Sequence, residues 1–190
     1  MSEFEQDIEH CLTVLEQGGT ILYPTDTVWG IGCDATNPAA VEKVFAIKER
    51  PFNRSMIVLV AEEKDLLKYV AAPDPHIFDF LKRVTRPTTV IYNGAVGLAP
   101  NVLHENGSVA IRVVQDKFCR HLIKRFRKPI VSTSANISGD PTPKKFTEIL
   151  NHIVKNVDYV VTYRQDDLTE AEASVVVKLE RDGSPTYIRQ

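Results

Sequence analysis

Apolar residues recur at helical spacing near the start of the chain. Phe4, Ile8, Cys11, Leu12 and Leu15 make one stripe over residues 3–17. Ser2 and Glu5 stand before it as a capping box, and Gly18 follows as a stop. The segment TILYP at 20–24 then reads as a short strand. A second helix is expected from Pro38, behind Asn37, to about Lys48, with Val41, Val44 and Phe45 inward. MIVLV at 56–60 is a continuous apolar run, which marks a strand covered on both faces.

The second half repeats this alternation. A helix opens at Asp74-Pro75 and carries Ile77, Phe78 and Leu81. Strands are predicted at TTVIY (88–92), before an Asn93-Gly94 turn, and at SVAIRV (108–113). A helix over 115–127 turns Phe118, Leu122 and Phe126 inward, and PIVSTSA (129–135) reads as a strand entering a loop. A helix from about Pro143 to Val154, a strand at 159–163, and a hairpin of SVVVKLE and PTYIR around Asp182-Gly183 complete the pattern. Hairpin signals interrupt the alternation of helix and strand. The expected fold is therefore a single-domain α/β protein with a twisted mixed sheet and flanking helices, spanning residues 1–190.

Composition narrows the classes. With 23 Lys plus Arg against 25 Asp plus Glu, the net charge of −2 argues against a protein that coats nucleic acid wholesale, though not against a local basic patch. The acidic start MSEFEQDIEHCL lacks the apolar core of a signal peptide, and no run reaches the roughly 18 apolar residues of a membrane span. Cys11, Cys33 and Cys119 are odd in number and lack CxxC spacing, so free thiols in a reducing cytoplasm are expected. Histidine spacing offers no protein-ligated metal.

Four segments are unusual for plain scaffold. YPTDTVWGIG (23–32) runs hydroxyls and an aspartate into glycines, which suits either a small polar ligand or a threonine-rich turn. IKERP (47–51) sends Lys48 and Arg50 off a helix end, with Arg54 close behind. This reads as an anion site or as a helix end complementing its own dipole. In SVAIR, Ser108 and Arg112 share strand parity and one face. An arginine among Val109, Ile111 and Val113 faces either a ligand or a buried structural carboxylate. VSTSANISGD (131–140) brings Ser132, Ser134 and Asn136 out of a buried strand, as a phosphate cradle or a helix-capping loop. There is no GxxxxGK[ST] loop, no GxGxxG after a strand and no GxSxG elbow.

Taken in order, these segments resemble the YrdC-like family of threonylcarbamoyl-AMP synthases, in its short single-domain form. The family's KxR…SxN signature appears as Lys48-Glu49-Arg50 and Ser134-Ala135-Asn136, and its P-T-[DE]-T-x-[YW]-G stretch as Pro24 to Gly30. Its [ST]-x-x-x-R strand is Ser108 to Arg112; Ser174 precedes a valine run, and Arg189 matches a late arginine. The longer branch often has histidine at Leu59 and asparagine at Arg54.

The resemblance implies synthesis of threonylcarbamoyl-AMP from L-threonine, bicarbonate and ATP, with Mg2+ accompanying ATP. Thr27, Arg112, Ser132 and Ser174 would hold threonine. Arg50, Arg54, Ser108, Ser134, Thr142 and Arg189 would hold ATP, and Lys48 and Asn136 would complete the reacting centre with Arg50 and Ser134. A separate transferase complex would then modify tRNA. Two rival readings stand beside this one. The first is an RNA-binding module using Lys117, Arg120, Lys124 and Arg127, which equally fit a solvated helix face. The second is a YciO-like paralogue with the same fold and a different or weak reaction.

Overall fold

The computed structural model describes residues 3–51 and 56–190. In chain order its elements are α1 (Glu5–Glu16), β1 (Ile21–Tyr23), β2 (Gly30–Gly32), α2 (Pro38–Ile47), β3 (Ile57–Val60), α3 (Leu66–Tyr69) and α4 (His76–Arg83). Then come β4 (Thr88–Tyr92), β5 (Val109–Val113), α5 (Lys117–Phe126), β6 (Ile130–Ser134), α6 (Asn151–Asn156), β7 (Tyr159–Val160), β8 (Val175–Leu179) and β9 (Pro185–Arg189). Among the described residues the strands join in one mixed sheet, in the order β7-β1-β2-β6-β3-β5-β4-β8-β9. The expected single-domain α/β architecture is what the chain adopts.

The sheet's centre follows from its apolar runs. β3 lies between β6, antiparallel, and β5, parallel, and its Val58 and Leu59 are fully buried. α2 begins where Asn37 Oδ1 accepts the N–H groups of Ala39 and Ala40, with Pro38 at the first helical position. α1 packs against α5, and Phe4 meets the Phe118 ring edge-on at 5.5 Å between centroids. α1 stops at Gly18, whose φ of 70° turns the chain so that Gly19 N–H bonds Val14 O at 2.8 Å. The capping box proposed at Ser2 lies outside the described residues. No helix among the described residues is long and apolar enough to cross a membrane.

Three expectations change. β2 carries no apolar periodicity, yet Gly30–Gly32 pairs with both β1 and β6. Glycine is required there: a Cβ on Gly32 would sit 2.6 Å from Tyr23 Cε1 and from Val131 O. The helix expected over 143–154 is instead a 3-10 turn at Phe146–Glu148 followed by α6. Glu148 Oε2 accepts Lys144 N–H at 2.8 Å, and Phe146 leans on Trp29 at 4.8 Å; these contacts override helical propensity. The strand expected over 159–163 is cut to β7 because the N–H groups of Thr162 and Tyr163 bond Asp7 rather than a neighbouring strand.

Asp7 is therefore a main tie between α1 and the sheet edge. Its carboxylate accepts Tyr159 Oη–H at 2.7 Å, Thr162 N–H and Oγ1–H at 2.9 Å, and Tyr163 N–H at 2.9 Å. Burial by itself would raise its pKa, but these hydrogen bonds outweigh burial and hold it below the usual carboxylate value.

Candidate active site

Strand register decides which side chains share a face. Paired residues point the same way, and the cross-strand pairs run Gly30–Ser134, Ser132–Ile57–Ala110 and Leu59–Arg112–Thr89. Ser132, Ser134, Arg112 and Thr89 therefore rise from one face of the sheet. Gly30 leaves room there: a Cβ at that position would come within 3.0 Å of Ser132 Oγ.

On this face opens a cleft of about 160 Å³. Its lining includes Thr27, Trp29, Arg50, Met56, Arg112, Ser132, Ser134, Thr142, Ser174 and Arg189. Eight residues picked from the sequence as site candidates thus meet on loops (Thr27, for one), a helix end (Arg50) and the sheet. The space is below the roughly 300–1,000 Å³ of sites for larger ligands and suits an amino-acid-sized molecule.

Thr27 sits in the loop between β1 and β2. Thr25 Oγ1 donates to Val28 O at 2.8 Å, so the hydroxyl of Thr27, 3.0 Å away, donates to Thr25 and keeps lone pairs to offer. Arg112 is 2% exposed. Its Nη2 lies 3.2 Å from Asp26 Oδ1, yet Nε and Nη2 have no hydrogen-bond partner among the described residues. The two readings of Arg112 merge: it faces the cleft and also pairs with a buried carboxylate.

At the mouth, Arg189 holds Ser174. Its Nε and Nη2 donate to Ser174 O at 3.1 and 2.9 Å, and Nη2 reaches Ser174 Oγ at 3.2 Å. Ser174 Oγ also meets Thr89 Oγ1 at 2.8 Å. Burial and the neighbouring Arg112 guanidinium lower the pKa of Arg189. Arg50, Arg112 and Arg189 converge on one cleft, a field suited to anions.

Lys48 and Asn136 do not line the cleft; they support it from behind. Glu49 takes a left-handed φ of 50°, so Lys48 turns inward while Arg50 reaches the cleft. Lys48 Nζ donates to Ser134 O and, at 2.7 Å, to Asn136 O. Asn136 Nδ2 donates to Ile137 O and Asp140 O, which closes the loop after β6. Burial and Arg50 push the Lys48 pKa down to about 7.

Ser108 lies outside this grouping. It shares the face of Arg112 but sits beyond the opposite end of β5, and its hydroxyl donates to Asn106 Oδ1 at 2.7 Å. Arg54 falls outside the described residues. The basic helix α5 spends much of its charge internally. Arg125 pairs with Glu5 and Glu9, Lys124 with Glu62, and Lys128 beyond it with Asp34. Such pairing favours a solvated face over a phosphate grip. Cys11, Cys33 and Cys119 are free and buried.

Sequence reasoning assigned no role to Asp26, Met56, Ile57 or Ala173. Asp26 was detectable, standing inside the threonine-rich motif. Met56 and Ile57 read only as core, and Ala173 carries no chemical signal.

A family model described as "Telomere recombination", for the Sua5, YciO and YrdC proteins, matches residues 13–190. The threonylcarbamoyl-AMP synthase of Photobacterium profundum is 32% identical over 160 residues, covering 82% of this chain and 85% of that protein. That of Pseudoalteromonas translucida is 33% identical over 160 residues, covering 83% and 86%. Among solved structures, P. abyssi Sua5 complexed with L-threonine superposes with a TM-score of 0.81 at 25% identity. It covers 97% of this chain, which spans 54% of the length of that Sua5. E. coli YciO superposes at 0.82 with 21% identity, covering 97% and 89%, a likeness of fold.

Proposed function

The chain belongs to the Sua5/YciO/YrdC family, and on that premise we propose that it is a threonylcarbamoyl-AMP synthase, joining L-threonine, bicarbonate and ATP with release of pyrophosphate. Three relatives carrying that name are matched over more than four-fifths of their own length, at 31 to 33% identity. The observation that carries the reading is the buried Arg112, with two nitrogens lacking hydrogen-bond partners among the described residues, in a cleft rimmed by the hydroxyls of Thr27, Ser132 and Ser174. A guanidinium so arranged is suited to a carboxylate, and the hydroxyl partners to a small polar side chain.

The chemistry needs no enzyme nucleophile. The threonine amine attacks the carbon of CO2, drawn from bicarbonate, and loses a proton to become a carbamate. A carbamate oxygen then attacks the α-phosphorus of ATP, and the bond to pyrophosphate breaks. The obstacle is the mutual repulsion of carboxylate, carbamate and triphosphate. Arg112 would take the carboxylate, while Arg50, Arg189, Ser134 and Thr142 would take phosphate oxygens. Catalysis is then orientation and charge stabilisation, and orientation alone supplies up to roughly 7–11 kcal/mol in favourable cases. Lys48 and Asn136 would act by holding the Ser134 loop.

Mg2+ belongs to the ATP in this scheme. The described residues offer no group of three His, Cys, Asp or Glu as a metal site, and Asp26 beside the cleft is engaged by Arg112. The ion would arrive on the triphosphate and would offset part of its negative charge. A separate transferase would pass the threonylcarbamoyl group to tRNA.

Pyrophosphate release that requires both threonine and bicarbonate tests the function. Release without either would point to a YciO-like paralogue or another reaction.

A further inference from the structure

We infer that Asp26 is a positioning residue of the threonine site, its carboxylate joining the guanidinium of Arg112 to the loop that carries Thr27. The inference rests on the synthase reading and deepens it.

Arg112 has only uncharged cross-strand neighbours, Leu59 and Thr89, and a cation, Arg189, close enough to feel its charge. A buried guanidinium in such surroundings needs a counter-charge. Asp26 supplies it from the loop between β1 and β2, with the two side chains 9% and 3% exposed. The same carboxylate reaches the backbone beyond β5, where Oδ2 accepts Gln115 N–H at 3.1 Å. Asp26 thus pins its loop to the end of the strand that carries Arg112. Thr27, the next residue, lines the cleft.

The geometry also leaves work for a ligand. Asp26 Oδ1 holds Arg112 by charge at 3.2 Å, outside hydrogen-bond alignment, and among the described residues Nε and Nη2 have no acceptor. An arriving carboxylate can take those donors without displacing Asp26. Two substrate contacts, one to the carboxylate and one at Thr27, therefore depend on one side chain that touches neither.

Asp26→Asn keeps the shape and removes the charge. Whichever way the amide turns, one contact becomes donor against donor: its NH2 faces either Arg112 or Gln115 N–H. The Michaelis constant for threonine should rise by roughly tenfold or more, the scale of a lost charge-assisted contact. The constant for ATP should stay within about threefold, because Arg50 and the Ser134 loop are held by other ties. A role in folding alone would instead lower the melting temperature and leave both constants unchanged, which overturns the inference. Asp26→Glu keeps the charge but shifts it. It should raise the threonine constant by a smaller factor, and a native threonine constant in that variant overturns the inference even where Asp26→Asn does not fold. An unmutated chain lacking threonine-dependent pyrophosphate release would overturn the synthase reading, and this inference with it. An active unmutated chain with indifferent Asp26 variants would overturn only the inference.

Discussion

Lys48 Nζ lies 2.7 Å from the carbonyl oxygen of Asn136, 88 positions later in the chain. The ammonium at the end of α2 thereby closes the loop that leaves β6, and Ser138 N–H returns a bond to Lys48 O at 2.8 Å. The two halves of the KxR and SxN pattern are one structural unit, tied behind the cleft.

The state of that ammonium has a consequence for stability. Burial and Arg50 lower the Lys48 pKa to about 7, against an unfolded value near 10.4. Between those values the unfolded chain binds more protons, so the Lys48 contribution rises with pH and is lost as pH falls through about 7. The melting temperature of the unmutated protein should therefore gain on that of Lys48→Met between about pH 7 and 9. A constant gap across that window would mean that Lys48 keeps its ordinary pKa.

Asp7 should behave in the opposite pH range. Its folded pKa is lowered, so its stabilisation is present above the unfolded value near 3.9 and disappears as pH falls through the folded one. Asp7→Ala should cost about 2–4 kcal/mol at neutral pH, since it strands several buried donors. Urea unfolding at pH 7 and at pH 3 checks both points, and the gap between the two proteins should narrow at the lower pH.

Gly30 and Gly32 should separate site from scaffold. A Cβ at Gly32 meets the Val131 carbonyl at 2.6 Å, backbone that cannot step aside. Gly32→Ala should lose roughly 1–3 kcal/mol or more. At Gly30 the nearest atom is Ser132 Oγ, at 3.0 Å, which can turn away. Gly30→Ala should stay folded and weaken threonine binding instead, as read by thermal unfolding beside threonine saturation curves.

Substrate choice tests the hydroxyls. Arg112 would bind a carboxylate common to all amino acids, so selection must come from the side chain. A site built to bond a hydroxyl penalises its absence heavily, whereas a missing methyl costs only about 1–3 kcal/mol. Bicarbonate-dependent pyrophosphate release should rank threonine above serine and serine above valine. Valine ahead of serine would mean that the cleft reads shape rather than the hydroxyl.

The sequence alone determined what depends on neighbours along the chain. Asn37 and Pro38 start α2 because a cap and a fixed φ act locally, and MIVLV is central because its pattern leaves no polar face. The motif order also carried the family, since the residue types survive in sequence whatever their setting. What tertiary structure decided lies in contacts across long separations. β2 exists because Gly32 lets Tyr23 and Val131 approach, and the helix expected at 143–154 breaks because Phe146 finds Trp29. Lys48 became a buried tie rather than a cleft group, Ser108 was turned to Asn106, and Asp26 emerged as the partner of Arg112. Periodicity reports which face a residue occupies, but only the packed sheet and its crossing loops fix which charge meets which. Electrostatic pairing depends on distance in space, and a pattern along the chain does not contain it.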